Sequence, residues 1–550
     1  MKLDKKTISI IILVIILIAS WGYTYTVYSE LTELRKRPIY QPLTDLDTLK
    51  IAMDISIIVS LDPARAYEGT SILIDNQCFD KLVDFIPPDY TTVVPEIAES
   101  WEVKPDGVTW IFHIRNGVKF SNGDPLDAEA VAYSLKRVIT LKKEASWLLT
   151  QFVSDPNKIT VINPYTVQVV LDKKVAPSLF LSVLSCTVSC IVNPKVVEAH
   201  AKGGDMGHEW MTMNAGSLGT GSGPFILQSF ERESKVVLVA NENYWRGPPK
   251  IKKIIIQHVP EPEVQRIMLE KGEVDIAWDL YGKILEELKG VEGIKIYETG
   301  SWDVTYIGMN VGVKPLNDYR VRKAIKYAID YDAIINNILY KSAVKYQTVI
   351  PYGFLGFNPA TPYYRDVAKA KALLAEAGYP QGFSIDLAVP AGAYPALDIA
   401  AKIKSDLAEV GINVNIVQIT SATMYERYRA QALQMVLAGW GSDYPDPDCN
   451  AKAFGNWRIK QLAWRNKWYD NYTADLCELA MLEPDPAKRA AYYKEITDYI
   501  LEYGPYVVLY HPLVRYAMRT WVEGFIISPS SYTQEFYTVY KDPVYKKIGG

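Results

Sequence analysis

Between Ser384 and Gln418 the chain reads as strand, helix, strand. Ser384–Val389 is a short apolar run, Asp398–Val410 has helical periodicity and is stopped by Gly411, and Asn413–Gln418 is a second strand. Two strands joined through one helix lie parallel with a right-handed crossover, so this part must form an α/β layer. Upstream, Asp318 caps a helix with Val321, Ala324, Ile325 and Ala328 on one face. Asp366 caps another with Ala370, Leu373, Leu374 and Ala377 on its buried side, ended by Gly378 with Pro380 beyond.

The first half of the chain has another character. Trp110, Phe112 and Ile114 alternate with Ile111, His113 and Arg115, and Asn116-Gly117 turns the chain toward Val118 and Phe120, a hairpin signal. Asp127 caps a helix striped by Val131, Leu135 and Val138, and Pro164–Leu171 alternates again. The glycine-rich stretch Gly216–Pro224 lacks the Gly-Lys-Ser/Thr of a phosphate loop, and Pro224 opposes helix entry, so a flexible crossing between domains is expected. Strands follow at Phe225–Phe230, Val236–Ala240 and Ile251–His258, then a helix Glu263–Lys271 and a strand Val274–Trp278. The tail Tyr506–Tyr516 is strand-like and is placed to return to the first lobe. A chain of 550 residues exceeds one ordinary core. Two α/β lobes with separate cores are expected.

Net charge is −4 and no run of five like charges occurs, which removes the basic footprint a nucleic-acid partner needs. Of the 38 tyrosines and 13 tryptophans some serve cores, and a cleft that holds ligand by stacking would also draw on them. Five cysteines contain no CxxC pair, and with only five histidines no zinc set forms, so neither metal nor other cofactor is expected. Cys186 and Cys190 read as two buried thiols or a short bridge; Cys449 and Cys477 read as a pair if the domain is extracellular. At the N-terminus, Lys2, Lys5 and Lys6 precede the apolar run Ile8–Ile18, followed by Trp21, Tyr23 and Tyr25. That stretch reaches about 20 residues, enough for one membrane crossing with the N-terminus inside. A cleaved signal peptide is the competing reading, since Ser20 and Gly22 are small. Residues 1–27 are therefore read as anchor or signal and 28–47 as a polar tether, with everything beyond outside the cytoplasm.

The stretch GWGSDYPDPDCN (439–450) carries the densest chemistry. As a calcium loop beginning at Asp446 it fails twice: the sixth position is Ala451 where Gly is needed, and the twelfth is Trp457 where a bidentate Glu is needed. As a carboxylate pair for glycoside hydrolysis it has no support, and no HExxH, GxSxG or Walker A motif occurs elsewhere. A capped surface turn explains Asp446-Pro447-Asp448. It does not explain Val436-Leu437-Ala438 directly before, a buried strand end of the kind where open α/β sheets collect ligands.

Several blocks together resemble the family 5 extracellular solute-binding proteins, the dipeptide, oligopeptide and nickel receptors of ABC importers. They are KFSNGDPLDAEAVAYSLKRV (119–138), SGPFILQSFERESKVVLVANENYWRGPPKIKKIIIQ (222–257), RIMLEKGEVDIAW (266–278), YIGMNVGVKPLNDYRVRKAIKYAIDYDAI (306–334) and YYRDVAKAKALLAEAGYP (363–380), in the family's order. The departure is the hydrophobic N-terminus, where the usual lipobox cysteine is missing. The resemblance implies a bilobal periplasmic-binding-protein-like α/β fold, type II in its large three-segment variant. Lobe I would combine 48–86, 220–300 and 506–550; an inserted domain Ib would take 87–219; lobe II would take 301–505. Ligand would be enclosed by hinge closure.

It also implies site roles. In peptide-binding members the aspartate of a Trp-x-x-Asp-Tyr/Asn stretch grips the ligand's α-amino group, and Trp440-Gly441-Ser442-Asp443-Tyr444 matches, so Asp443, Trp440 and Tyr444 are ligand-binding candidates. Trp440 either stacks on ligand or packs the loop, and Asp446 and Asp448 shape the loop. Gly69 and Thr70, in the lobe I stretch that usually meets ligand, are expected to offer backbone groups to an extended peptide. No lysine or arginine matches a motif for the peptide carboxylate. The implied protein is a monomeric, non-enzymatic receptor delivering a peptide to an ABC permease. An oligosaccharide is the alternative ligand, and an extracellular hydrolase or a structural ectodomain is the alternative class; nickel is disfavoured by the few histidines.

Overall fold

The computed structural model describes residues 45–542 except residue 393. The N-terminal anchor reading and most of the tether lie outside the described residues. Among the described residues no helix is long and apolar enough to cross a membrane.

Two sheets share one strand. The strand Thr48–Met53 lies parallel to Lys253–His258 and to Ile276–Ala277. Lys253–His258 continues antiparallel into Lys235–Ala240 and then Phe225–Glu231. In the second sheet Phe383–Pro390 is parallel to Ile412–Ile419 and to Met435–Trp440, as the strand–helix–strand pattern requires. Val304–Met309 runs antiparallel to Met435–Trp440. The long strand Tyr506–Arg519 joins the two sheets. Its start pairs with Val304–Met309, from Thr305↔Tyr510 to Gly308↔Tyr506, and its end pairs with Ile294–Gly300, from Gly300↔Leu513 to Ile294↔Arg519. The tail therefore returns to the first sheet only after pairing in the second. Two segments cross between the sheets, Ser301-Trp302-Asp303 and His511-Pro512, tied by a hydrogen bond of 3.0 Å from the Ser301 N–H to the Pro512 carbonyl. A crossing this thin is the natural hinge.

A third body is a four-stranded antiparallel sheet in the order Ala98–Val103, Thr109–Ile114, Thr166–Val170, Ile159–Asn163. The helix Ala128–Leu141 covers it, and Asp127 caps that helix by accepting from the Ala130 N–H. The Asn116-Gly117 turn ends Thr109–Ile114, with Gly117 at φ 84°, but Val118–Phe120 does not become the hairpin partner. Instead Val118 and Phe120 are buried, and a second turn at Gly123 takes the chain away. The strand pairs with Ala98–Val103 and Thr166–Val170.

The crossing Gly216–Pro224 is not a loose linker. The Gly223 N–H donates to the Cys78 carbonyl at 2.9 Å, and a Cβ on Gly221 would sit 2.1 Å from that same oxygen. Glycine is used here for close backbone approach. Gly221→Ala is expected to cost roughly 1–3 kcal/mol, the usual penalty for overpacking, read as a drop in denaturant midpoint. All five cysteines are free thiols, so neither the Cys186–Cys190 bridge nor the Cys449–Cys477 pair is formed.

Candidate functional site

The strand Met435–Trp440 ends where the lobes meet, and the following loop is held by its own acids. Asp446 accepts from both terminal nitrogens of Arg489, at 2.6 and 2.7 Å, with both side chains almost fully buried. Arg489 also donates to the Ala480 carbonyl, the Tyr493 hydroxyl and Ser178 of the inserted body. Asp448 begins the helix Asp448–Gly455 and accepts from the Tyr444 hydroxyl at 2.9 Å, while Lys452 Nζ lies 2.8 Å from it. Ser442 Oγ lies 2.5 Å from the Asn450 side-chain oxygen. Asp446 and Asp448 are thus consumed by the protein.

Asp443 is not. Its Oδ1 accepts from the Tyr67 hydroxyl at 2.6 Å, a contact that spans the two lobes. Its Oδ2 has only the Cys449 thiol at 3.8 Å, and its carbonyl meets the Cys186 thiol at 3.6 Å. Among the described residues no lysine or arginine forms an ion pair with it. Burial raises its pKa above the ordinary carboxylate value, only partly offset by Tyr67, Cys449 and the distant charge of Lys452. Beside it is a cavity of about 10 Å³ lined by Ala66, Tyr67, Ile72, Leu148, Cys186, Thr187 and Tyr532. That is close to the smallest space a water-sized group needs, and an ammonium is of that size.

The other candidates divide. Trp440 is half-buried, stands edge-on to Phe454, and lines a larger cavity of about 680 Å³ between the inserted body and the second lobe. Tyr444 is fully buried with its hydroxyl on Asp448, so it packs the loop and does not face ligand; it and Cys449 join the core of the inserted body. Gly69 and Thr70 are not extended. They open the helix Gly69–Cys78, and Thr70 is buried. A strand-like grip on ligand is therefore unavailable there, because helical backbone presents its N–H groups along the axis and not in a ladder. Tyr67, just before that helix, is the residue of this stretch that reaches the site. Tyr532 and Cys186 complete its walls; nothing local in the sequence marks them, since each arrives from a distant segment.

Further contacts join the inserted body to the second lobe. Besides Tyr67–Asp443, the Ala176 N–H donates to the Met481 carbonyl at 2.8 Å and Lys452 Nζ to Gln151 at 2.9 Å.

Comparison with known proteins agrees with this architecture. Residues 92–460 match the model of the bacterial extracellular solute-binding proteins, family 5. The dipeptide-binding protein of Escherichia coli is 30% identical over 84% of this chain and 88% of its own. The structure of HbpA2 from Haemophilus parasuis superposes with a TM-score of 0.79 at 25% identity, covering 90% of this chain and 100% of that one. The periplasmic binding protein DppA from Helicobacter pylori, in complex with the peptide STSA, gives 0.72 at 25% identity, covering 90% and 98%. With a bilobal α/β fold, a half-buried carboxylate at the junction and a family match across most of its length, this chain belongs to the family 5 extracellular solute-binding proteins.

Proposed function

We propose that this protein captures a small peptide outside the cell by its free amino terminus and delivers it to an ABC permease. The observation that carries the reading is Asp443: a half-buried carboxylate at the lobe junction, with one hydroxyl and one thiol as partners and an ammonium-sized space beside it. A peptide α-ammonium supplies the missing charge, in a charge-assisted hydrogen bond worth about 1.5–3 kcal/mol net. Because Tyr67 belongs to the other lobe, a ligand held at Asp443 is also held against lobe I. Binding then shifts the population toward the closed form without chemistry being done. The names of the relatives support the ligand class: one is called a dipeptide-binding protein, another was solved with a peptide bound.

The test compares peptides with their N-acetylated forms by calorimetry. Free-amine peptides are expected to bind roughly 10–100-fold more tightly, matching the energy of one such bond. Equal binding of the two forms removes Asp443 from this role, and a response to oligosaccharides alone moves the ligand to that class. The apolar run Ile8–Ile18 is read as the anchor that keeps the receptor at the membrane. Recovery of the full chain in the soluble fraction of cells would contradict that.

A further inference from the structure

A second carboxylate stands across the ladder from the loop that carries Asp443. Asp303 lies in the hinge crossing, directly after Trp302 and before the strand Val304–Met309. The ladder register Val304↔Trp440 sets it opposite Gly441, two residues before Asp443. The contact is close: a Cβ on Gly441 would stand 2.6 Å from Asp303 Oδ1. Asp303 is exposed to solvent, although the protein packed around it is enough to raise its carboxyl pKa. Gly439 and Gly441 are exposed at the facing strand end, so two positions of the floor beside Asp303 are bare backbone.

Its partners are few. Ser301 Oγ donates to Oδ2 at 2.9 Å, and the Asp303 N–H donates back to that hydroxyl at 3.0 Å. Among the described residues no cation is paired with it. Burial raises its pKa, with Ser301 the sole opposing influence. Tyr532 lines the cavity at Asp443, and after burial the charges of Asp443 and Asp303 are the next causes that push its hydroxyl pKa up.

Resting on the reading of Asp443 above, we propose that Asp303 is a specificity-determining residue for the side chain of the ligand's first residue, selecting peptides that begin with lysine or arginine. Two residues of extended chain span at most about 7 Å, and a lysine ammonium reaches a comparable distance from its own α-amino group. One carboxylate takes the terminal ammonium and the other the side-chain cation, while the glycine floor leaves room for the aliphatic stem. The shared chemistry is two cations joined by a short aliphatic chain, which a free diamine also offers.

The test measures affinity by calorimetry for Lys-Ala, for norleucyl-Ala, which keeps the stem and lacks the charge, for N-acetyl-norleucyl-Ala, and for 1,5-diaminopentane. The wild-type protein is expected to prefer Lys-Ala over norleucyl-Ala by roughly tenfold or more, the size of one charge-assisted contact. Asp303→Asn is expected to abolish that preference, with an unchanged circular-dichroism spectrum certifying the variant's fold. Equal wild-type affinity for Lys-Ala and norleucyl-Ala, or a preference that survives Asp303→Asn, overturns the proposal while the Asp443 reading stands. If norleucyl-Ala and its acetylated form bind alike, both readings fall together. Tight binding of 1,5-diaminopentane, lost in Asp303→Asn, supports the two-carboxylate chemistry and names a diamine as its source.

Discussion

Arg489→Ala is expected to destabilise the protein by about 3–5 kcal/mol, the cost of stranding one member of a buried ion pair. The guanidinium is 1% exposed and binds Asp446 through two parallel hydrogen bonds, with the Ala480 carbonyl and Tyr493 taking further donors. Removing it leaves Asp446 buried, with no guanidinium to offset its charge. The loss reaches the site as well, because Asp446 fixes the loop that aims Asp443, and Arg489 also reaches Ser178 in the inserted body. Urea denaturation measures the first effect and peptide affinity the second. The double variant Asp446→Leu/Arg489→Met removes both charges and should recover most of the stability, since well-packed apolar replacements of buried pairs are often neutral or better. It should not recover full affinity, because the loop loses its directional tie. A double variant as unstable as Arg489→Ala would show that packing, not the stranded charge, sets the cost.

What was legible in the sequence is what local physics decides. The caps at Asp127, Asp318 and Asp366 each accept a backbone N–H of their own helix, a contact within three residues. The parallel pair flanking Ala396–Ala408 follows from connection handedness alone. The site is different. Tyr67 and Asp443 are 376 positions apart, and no periodicity brings a lone tyrosine to a lone aspartate. Asp303 gains meaning only from facing Gly441 across a ladder. The Trp-x-x-Asp-Tyr stretch points to this loop but not to the direction of each side chain. Tyr444 turns inward to Asp448, while its neighbour Asp443 turns to the lobe junction. The flexible-crossing reading of the glycines failed for a related reason. Glycine marks both mobility and close approach, and only the position of Cys78 tells them apart.

Asp443→Asn is expected to weaken binding of free-amine peptides by about 2–3 kcal/mol and to leave N-acetylated peptides nearly unaffected. The amide keeps the size of the side chain and an oxygen for the Tyr67 hydroxyl, so the lobes still close, but the charge that holds an ammonium is gone. The same change should raise the melting temperature of the ligand-free protein at neutral pH. Burial lifts the Asp443 pKa in the folded state above its unfolded value. Such a group contributes stability that is fully present below the unfolded carboxylate pKa, near 3.9, and is lost as pH rises through the folded one. Ligand-free stability should accordingly fall across the weakly acidic range above that point, and the Asn variant should lack this component. Affinity should run the other way. The ammonium needs the ionised carboxylate, so wild-type binding strengthens over that same window and releases a proton as it does so. Calorimetry in buffers of different ionisation heat counts that proton directly, and the count should drop to zero in Asp443→Asn. If the variant binds free-amine peptides as the wild type does, with the same pH profile, the ammonium is held elsewhere. Stability is given up at this residue in the empty receptor, and the ligand's charge restores it on closure.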